Sequence, residues 1–393
     1  MLFIEDLDFQ GKTVFLRVDF NVPMDHNQQI RNDARIQAAL PTLQYLLDKN
    51  ARVILASHLG RPKGKVVSEL SMKPVAKHLQ KLISAGVKLA PSVTGQEVEL
   101  LKRGLKENEV LVLENLRFDP AEKTNDPEFA RELANGIDIY VNDAFGTCHR
   151  SHASVVAITG FITKSAAGFL IEKEVEYLNK VIRSPQKPYI AILGGAKAWD
   201  KIPIIQNLLT KADTILIGGA IAYTFFSAQG KGVGKSLVET DKKEMALSLL
   251  QSASGNNVDF ELPEDHIIAS NIGQPENARI VSDFPIPREM MALDIGPRTI
   301  EKYISIISSA ETILWNGPMG VFEVEEFSIG TTSIAEAVAS SNAMSIVGGG
   351  DSVAAIAKAG VEDRITHIST GGGASLEYIA NERLPGLEAL SEK

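Results

Sequence analysis

The chain has 393 residues, 44% of them hydrophobic and 23% charged, with a formal net charge of −9. That length exceeds what one hydrophobic core usually serves, so about two domains are expected. The composition is that of an ordinary globular protein, and the negative charge excludes a general nucleic-acid binder, which needs a basic surface. The opening segment, MLFIEDLDFQGKTVFLRV, mixes acidic and apolar residues and lacks the basic-then-apolar layout of a secretory signal. The nearest approach to a bilayer-spanning stretch, 155–171, is too short and contains Lys164. Cys148 is the only cysteine, so no intrachain disulfide forms, which fits a reducing compartment such as the cytoplasm.

In the first half, short apolar runs predict strands near 13–18, 53–57, 110–113 and 137–141, with helical patterns between them at 33–49 and 72–83. Alternation of strand and helix predicts parallel sheets covered on both faces, an α/β architecture of two doubly wound halves. A continuous helical pattern, GFLIEKEVEYLNKVI at 168–182, followed by Ser184-Pro185, marks the join. Five times beyond the join an apolar run ends in glycine or Asn-Gly and turns helical: 189–195 (YIAILGG), 214–219 (TILIGG), 312–318 (TILWNGP), 344–350 (MSIVGGG) and 367–373 (HISTGGG). Glycine admits a ligand close to the backbone, and the following helix presents unpaired N–H groups to an anion. Repeated at one sheet edge, the pattern predicts a nucleotide site.

The first half carries a different signal at the same kind of place. Asp19, Asn21 and Pro23 follow the first strand, His58 and Arg61 the second, Arg117 the third, and the loop to Arg150 the fourth. Arg35 falls in the first turn of a helix that Asn32 or Asp33 can cap. Cations gathered at strand ends predict a polyanionic ligand, because the guanidinium fork donates two parallel hydrogen bonds to phosphate or carboxylate.

Seven segments in order, RVDFNVP (17–23), SHLGRP (57–62), ENLRF (114–118), GGAK (194–197), WNGPMGVFE (315–323), GGGDS (348–352) and STGGGAS (369–375), make the chain resemble phosphoglycerate kinases along essentially its whole length. The resemblance implies two hinge-closing domains. One comprises 1–168 with 384–393 returning to it, and holds 3-phosphoglycerate or 1,3-bisphosphoglycerate. The other, 169–383, holds ADP or ATP with Mg²⁺, and a helix at about 169–182 joins the two. It implies a cytoplasmic, monomeric enzyme of glycolysis that transfers phosphoryl directly, without a phosphoenzyme. It assigns Asp19, Asn21, Arg35, His58, Arg61, Arg117 and Arg150 to the glycerate, with Arg35 reaching the transferring phosphoryl. Lys197 and Lys201 are assigned to the nucleotide phosphates, Gly219 to adenine, Asn316 and Pro318 to the nucleotide border and Glu323 to ribose. Gly348, Gly349, Gly350, Asp351 and Ser352 are assigned to the phosphates, with Asp351 as the magnesium-linked carboxylate. Lys197, Gly350 and Gly373, with its neighbours Gly371 and Gly372, join Arg35 at the phosphoryl in flight.

One departure from the family pattern is Trp199, preceded by Ala198, between the two lysines of GGAKAWDK. It either fills a gap beside the helix or crowds the phosphate path. Two other readings compete. Residues 230–236, GKGVGKS, approach a Walker A loop but have Gln229 where glycine is required and follow a helical run rather than a strand. A noncatalytic nucleotide or sugar-phosphate binding module would keep the same anion-binding residues.

Overall fold

The structure, a computed structural model, describes residues 1–196 and 201–391. The chain divides into two compact units, Met1–Glu176 with Arg383–Lys393, and Tyr177–Glu382. In the first unit the strands are β1 (Thr13–Val18), β2 (Arg52–Ala56), β3 (Gly86–Leu89), β4 (Glu109–Val112), β5 (Ile139–Asp143) and β6 (Ser165–Ala167). They form one parallel sheet in the order β3-β4-β2-β1-β5-β6. Helices α1 (Ala34–Asp48), α2 (Lys73–Leu82), α3 (Gln96–Arg103) and α4 (Pro127–Ala134) connect them, and α5 (Phe169–Arg183) carries the chain across the division. Every residue of β1 and β5 is buried, as expected where a parallel sheet is covered on both faces. Leu43 and Leu46 of α1 and Val75 and Leu79 of α2 fill the space against Val14, Leu16, Val53 and Leu55.

In the second unit β7 (Tyr189–Leu193), β8 (Thr214–Ile217) and β9 (Asp259–Glu261) run one way along a second parallel sheet. Strands β13 (Thr312–Asn316), β14 (Met344–Gly348) and β15 (His367–Ile368) run the other, giving β15-β14-β13-β7-β8-β9. The order reverses between β7 and β13, the place where open α/β sheets open a crevice at their strand ends. Around this sheet lie α6 (Ile202–Leu208), α7 (Ile221–Ala228), α8 (Lys243–Gly255), α9 (Pro297–Ile307), α10 (Ile329–Ser340), α11 (Gly350–Ala359) and α12 (Gly373–Asn381). The last helix, α13 (Pro385–Ser391), belongs to the first unit, where Gly386 N donates to Cys148 O at 2.8 Å.

All five glycine-terminated runs of the second half are strands of the one sheet, as their pattern predicts. Several features differ from the sequence reading, among them β3, β6 and β9, which fall outside the strands it named. The strand expected at 137–141 begins two residues later, because Asp138 instead ties the strand entry to Thr13, whose N–H donates to the carboxylate at 2.7 Å. A separate antiparallel sheet of β10 (His266–Ala269), β11 (Arg279–Val281) and β12 (Met291–Ile295) interrupts the parallel architecture. Its strands are three to five residues long and were too short to stand out as periodic runs.

Candidate active site

In the first unit the loops after β1, β2, β4 and β5 carry one connected group. Asp19 is its organiser: Arg35 Nη1 donates to Oδ2 at 2.7 Å, and Asn21 N donates to Oδ1 at 3.4 Å. His58 Nδ1 lies 3.7 Å from Asp19 Oδ1 and 3.5 Å from Arg17 Nη2. Burial, reinforced by Arg17, Arg117 and Arg35, holds the His58 pKa well below the usual imidazole range, so the ring is neutral. Asn21 Oδ1 accepts from Gly60 N at 2.8 Å, and Arg117 Nη1 donates to Gly60 O at 2.9 Å, so both side chains grip the loop that bears Arg61. Arg61 and Arg150 are exposed. Burial first, then Arg17 and Arg150, lowers the Arg117 pKa to about 10, and the group stays cationic at neutral pH. His152 is pushed down to about 3 by burial and by Arg17, and His149 is also lowered, chiefly by burial. Positive charge is therefore concentrated on guanidiniums whose neighbouring imidazoles are neutral, the electrostatics of an anion site.

Several members of this group escaped the sequence reading. Arg17 is fully buried in β1 and donates through Nε to Ser154 Oγ at 2.9 Å and through Nη1 to Val18 O. Ser154 Oγ in turn donates to the buried Glu122 at 2.7 Å. A charge inside the apolar run TVFLRV was the signal. Asn115 clamps two loops: Nδ2 donates to Leu59 O at 2.7 Å and Leu70 O at 2.9 Å, while Oδ1 accepts from Arg117 N at 3.1 Å. The helix bearing Arg35 is opened by Asn32, whose Oδ1 accepts from Ala34 N at 2.8 Å; the Asp33 carboxylate bonds His78 Nε2 instead.

In the second unit the crevice between β7 and β13 opens into a cavity of about 300 Å³. Lys201, Asn316, Pro318, Gly349, Gly350, Asp351 and Ser352 line it, together with Gly195, Ala196, Gly317 and Leu376 of α12. Gly349, at φ +94°, precedes α11 and turns its N-terminus onto the cavity, a backbone that side-chain-bearing residues rarely adopt. Ser352 Oγ accepts from Gly317 N at 2.6 Å, and Asn316 Nδ2 donates to Gly348 O at 2.7 Å, which locks the β13 loop to the β14 loop. Gly219 N donates to Met319 O at 2.7 Å and Gly195 N to Pro318 O at 2.8 Å, so the turns after β8 and β7 close on the same loop. Gly373 opens α12 behind Gly372. Glu323 is exposed and, like Gly219, Gly348 and Gly373, is not part of the cavity lining. Lys201 is buried, with Nζ donating to Gly194 O at 2.5 Å and Asn316 O at 2.9 Å, so its ammonium braces the ends of β7 and β13. Lys197, Ala198 and Trp199 lie outside the described residues.

Residues 230–236 form no phosphate cradle. Lys235 N donates to Met290 O at 2.7 Å, Ser236 Oγ accepts from Ala292 N at 3.0 Å, and the Lys231 ammonium sits 4.7 Å from the Phe226 ring centroid.

With this geometry in hand, similarity to known proteins decides the family. The sequence model for phosphoglycerate kinase matches residues 4–382. The chain belongs to the phosphoglycerate kinase family. It is 52% identical over 391 residues to a phosphoglycerate kinase of Anaeromyxobacter sp. (strain K), covering 99% of each chain. It is 53% identical over 390 residues to that of Chlorobium phaeobacteroides (strain BS1), covering 98% of each. Among solved structures, the phosphoglycerate kinase of Coxiella burnetii superposes with a TM-score of 0.89 at 39% identity, covering 100% of this chain and 98% of that one. That of Pyrococcus horikoshii OT3 gives 0.86 at 38% identity with the same coverage. Like these relatives the chain is a kinase of doubly wound α/β build, and no described helix is long and apolar enough to cross a membrane.

Proposed function

We propose that the chain catalyses reversible transfer of the 1-phosphoryl group of 1,3-bisphosphoglycerate to ADP, giving 3-phosphoglycerate and ATP. The cavity at the β7/β13 switch point carries this reading: it combines two glycine-rich strand ends, the N-terminus of α11 and the exposed carboxylate of Asp351, in a chain matched to phosphoglycerate kinases almost end to end. The nucleotide binds there, with Gly219, Asn316, Pro318 and Glu323 around its nucleoside and Gly348, Gly349, Gly350 and Ser352 near its phosphates. The glycerate binds in the first unit, held by Asp19, Asn21, His58, Arg61, Arg117 and Arg150.

Phosphoryl transfer needs in-line positioning, exclusion of water and neutralisation of the charge spread over the equatorial oxygens. Arg35 serves the last need. Only its Nη1 is engaged by Asp19, and a guanidinium has five N–H donors, so it can keep that pair and still bond an anion. The N–H groups of Gly350 and Gly373 at two helix starts act in the same sense, and Lys197 joins them on the family resemblance. An acyl phosphate is already activated and its leaving carboxylate needs no proton, so neither a nucleophile nor a general acid is required. His58, neutral and buried, orients the glycerate and takes no proton. Mg²⁺ supplies charge neutralisation on the nucleotide phosphates. The donor set fits a metal carried by the nucleotide: among the described residues Asp351 is the one carboxylate lining the cavity and no cluster of three His, Cys, Asp or Glu could cage an ion, and Mg²⁺ commonly takes one or two carboxylates beside phosphate oxygens and water. The enzyme works as a monomer in the cytoplasm, a setting that suits the lone buried thiol of Cys148.

The test is a coupled assay on the purified chain with 3-phosphoglycerate and MgATP, following the acyl phosphate by its reductive consumption. Turnover that requires both substrates is expected. Nucleotide binding without turnover would make the chain a binding module instead.

A further inference from the structure

Loop 317–320 follows β13 with no regular secondary structure, yet nearly every backbone polar group in it is bonded. At its start Gly317 N donates to Ser352 Oγ, and Gly317 O accepts from Trp315 Nε1 at 2.8 Å. Its end is held by a residue that does not line the cavity: Thr331, buried in the first turn of α10, accepts at Oγ1 from Met319 N at 3.0 Å and Gly320 N at 3.3 Å. Between these anchors the Pro318 and Met319 carbonyls hold Gly195 N and Gly219 N, the two glycine turns expected to meet the nucleotide. Thr331 is itself seated from behind. The buried Asp294 at the end of β12 accepts from Gly330 N at 2.7 Å, and a Cβ on either Gly320 or Gly330 would strike the Asp294 carboxylate. One hydroxyl thus couples the start of α10, fixed by Asp294, to the loop from which both glycine turns hang.

We infer that Thr331, seated by Asp294, is a positioning residue for nucleotide binding: its hydroxyl fixes the Met319 and Gly320 amides, and through the neighbouring carbonyls fixes the glycine turns after β7 and β8. This rests on the assignment of the cavity to the nucleotide. Without the hydroxyl, the buried Met319 N–H and the half-buried Gly320 N–H lose their acceptor, the loop relaxes, and its ordering must be met at each binding event. The glycerate residues lie in the other unit and do not share these bonds.

The test compares wild type, Thr331→Val and Thr331→Ser as full-length chains by isothermal titration with MgADP and, separately, 3-phosphoglycerate. Thr331→Val should weaken MgADP about tenfold and raise the KM for ADP by a similar factor, with kcat changing less. Glycerate affinity should stay within about twofold. Thr331→Ser, which keeps the acceptor, should return MgADP affinity to within about threefold of wild type. Unchanged MgADP affinity in Thr331→Val, equal loss of both ligands, or no rescue by serine overturns the inference. If Thr331→Val does not fold, Thr331→Cys, similar in size but a poorer acceptor, takes its place with the same readouts. Failure of wild type to bind MgADP would instead overturn the assignment of the cavity.

Discussion

Replacing Arg35 with alanine removes two things that can be measured apart. The first is the set of donors proposed to meet charge developing on the phosphoryl oxygens, whose loss would cost about 3 kcal/mol in the barrier, or two to three decades in kcat. The second is the partner of Asp19, an ion pair of 2.7 Å in which Asp19 is nearly buried and Arg35 is about a third exposed. Freed, the Asp19 carboxylate keeps only a 3.4 Å bond from Asn21 N and the neutral His58 beside it, and its charge faces the anionic glycerate. One unit charge about 6 Å from a phosphate at an effective dielectric near 40 is worth about 1.4 kcal/mol, roughly tenfold in affinity. Steady-state assays should therefore show Arg35→Ala with kcat down on the order of 100- to 1000-fold and the KM for 3-phosphoglycerate up about tenfold. The Kd for nucleotide should be unchanged. Adding Asp19→Asn should recover much of the KM and none of the kcat, a double-mutant cycle separating ground-state repulsion from transition-state loss. An Arg35→Ala enzyme within tenfold of wild-type kcat would refute the assignment of Arg35 to the transferring group.

Three further substitutions probe other parts of the account. Asp351→Ala should weaken MgADP about tenfold and shift its magnesium dependence to higher concentration; an unaltered magnesium titration counts against Asp351 as the metal-linked carboxylate. Asp143 is fully buried beneath the start of α5, where it accepts from Leu170 N at 2.9 Å, and burial raises its pKa from 3.8 to about 7. From pH 4 to 7 the folded chain holds a proton the unfolded chain has released, so this group lowers stability as pH rises through that window. Asp143→Asn removes that slope, and its stability relative to wild type should climb between pH 4.5 and 7.5 by at most about 4 kcal/mol; parallel denaturation curves would contradict this. Arg17→Met strips the buried Glu122 of its nearby cation and should destabilise the chain by about 3 kcal/mol at pH 8. The loss should shrink as pH falls and Glu122, whose pKa burial already raises, takes up a proton; a pH-independent loss would mean that Arg17 acts by packing alone.

What the sequence made legible follows from how each feature is encoded. A parallel strand buried on both faces is a contiguous apolar run, and a crevice at its end needs glycine or a short polar loop, so YIAILGG, TILWNGP and MSIVGGG announced both the sheet and the cavity at its switch point. Arginines at strand ends were visible for the same reason. Side chains that act through others leave no local mark. Asn115 reads as one more loop asparagine, Thr331 as an ordinary helix residue and Asp294 as a strand-end acid; each acquires meaning only when elements distant in sequence meet. Lys201 shows the converse, since a phosphate ligand and a brace between two strand ends call for the same long cationic side chain. The small sheet β10–β12 was missed because strands of three to five residues without an uninterrupted glycine-terminated apolar run carry too little periodicity to distinguish them from loop.

The central claim is a single direct transfer between the nucleotide and the glycerate carboxylate. ATP made chiral at its γ-phosphorus with oxygen isotopes, turned over by the purified chain with 3-phosphoglycerate, tests it most directly. One in-line displacement predicts an acyl phosphate of inverted configuration at phosphorus. Retention would require a phosphoenzyme and two displacements, and would contradict the account.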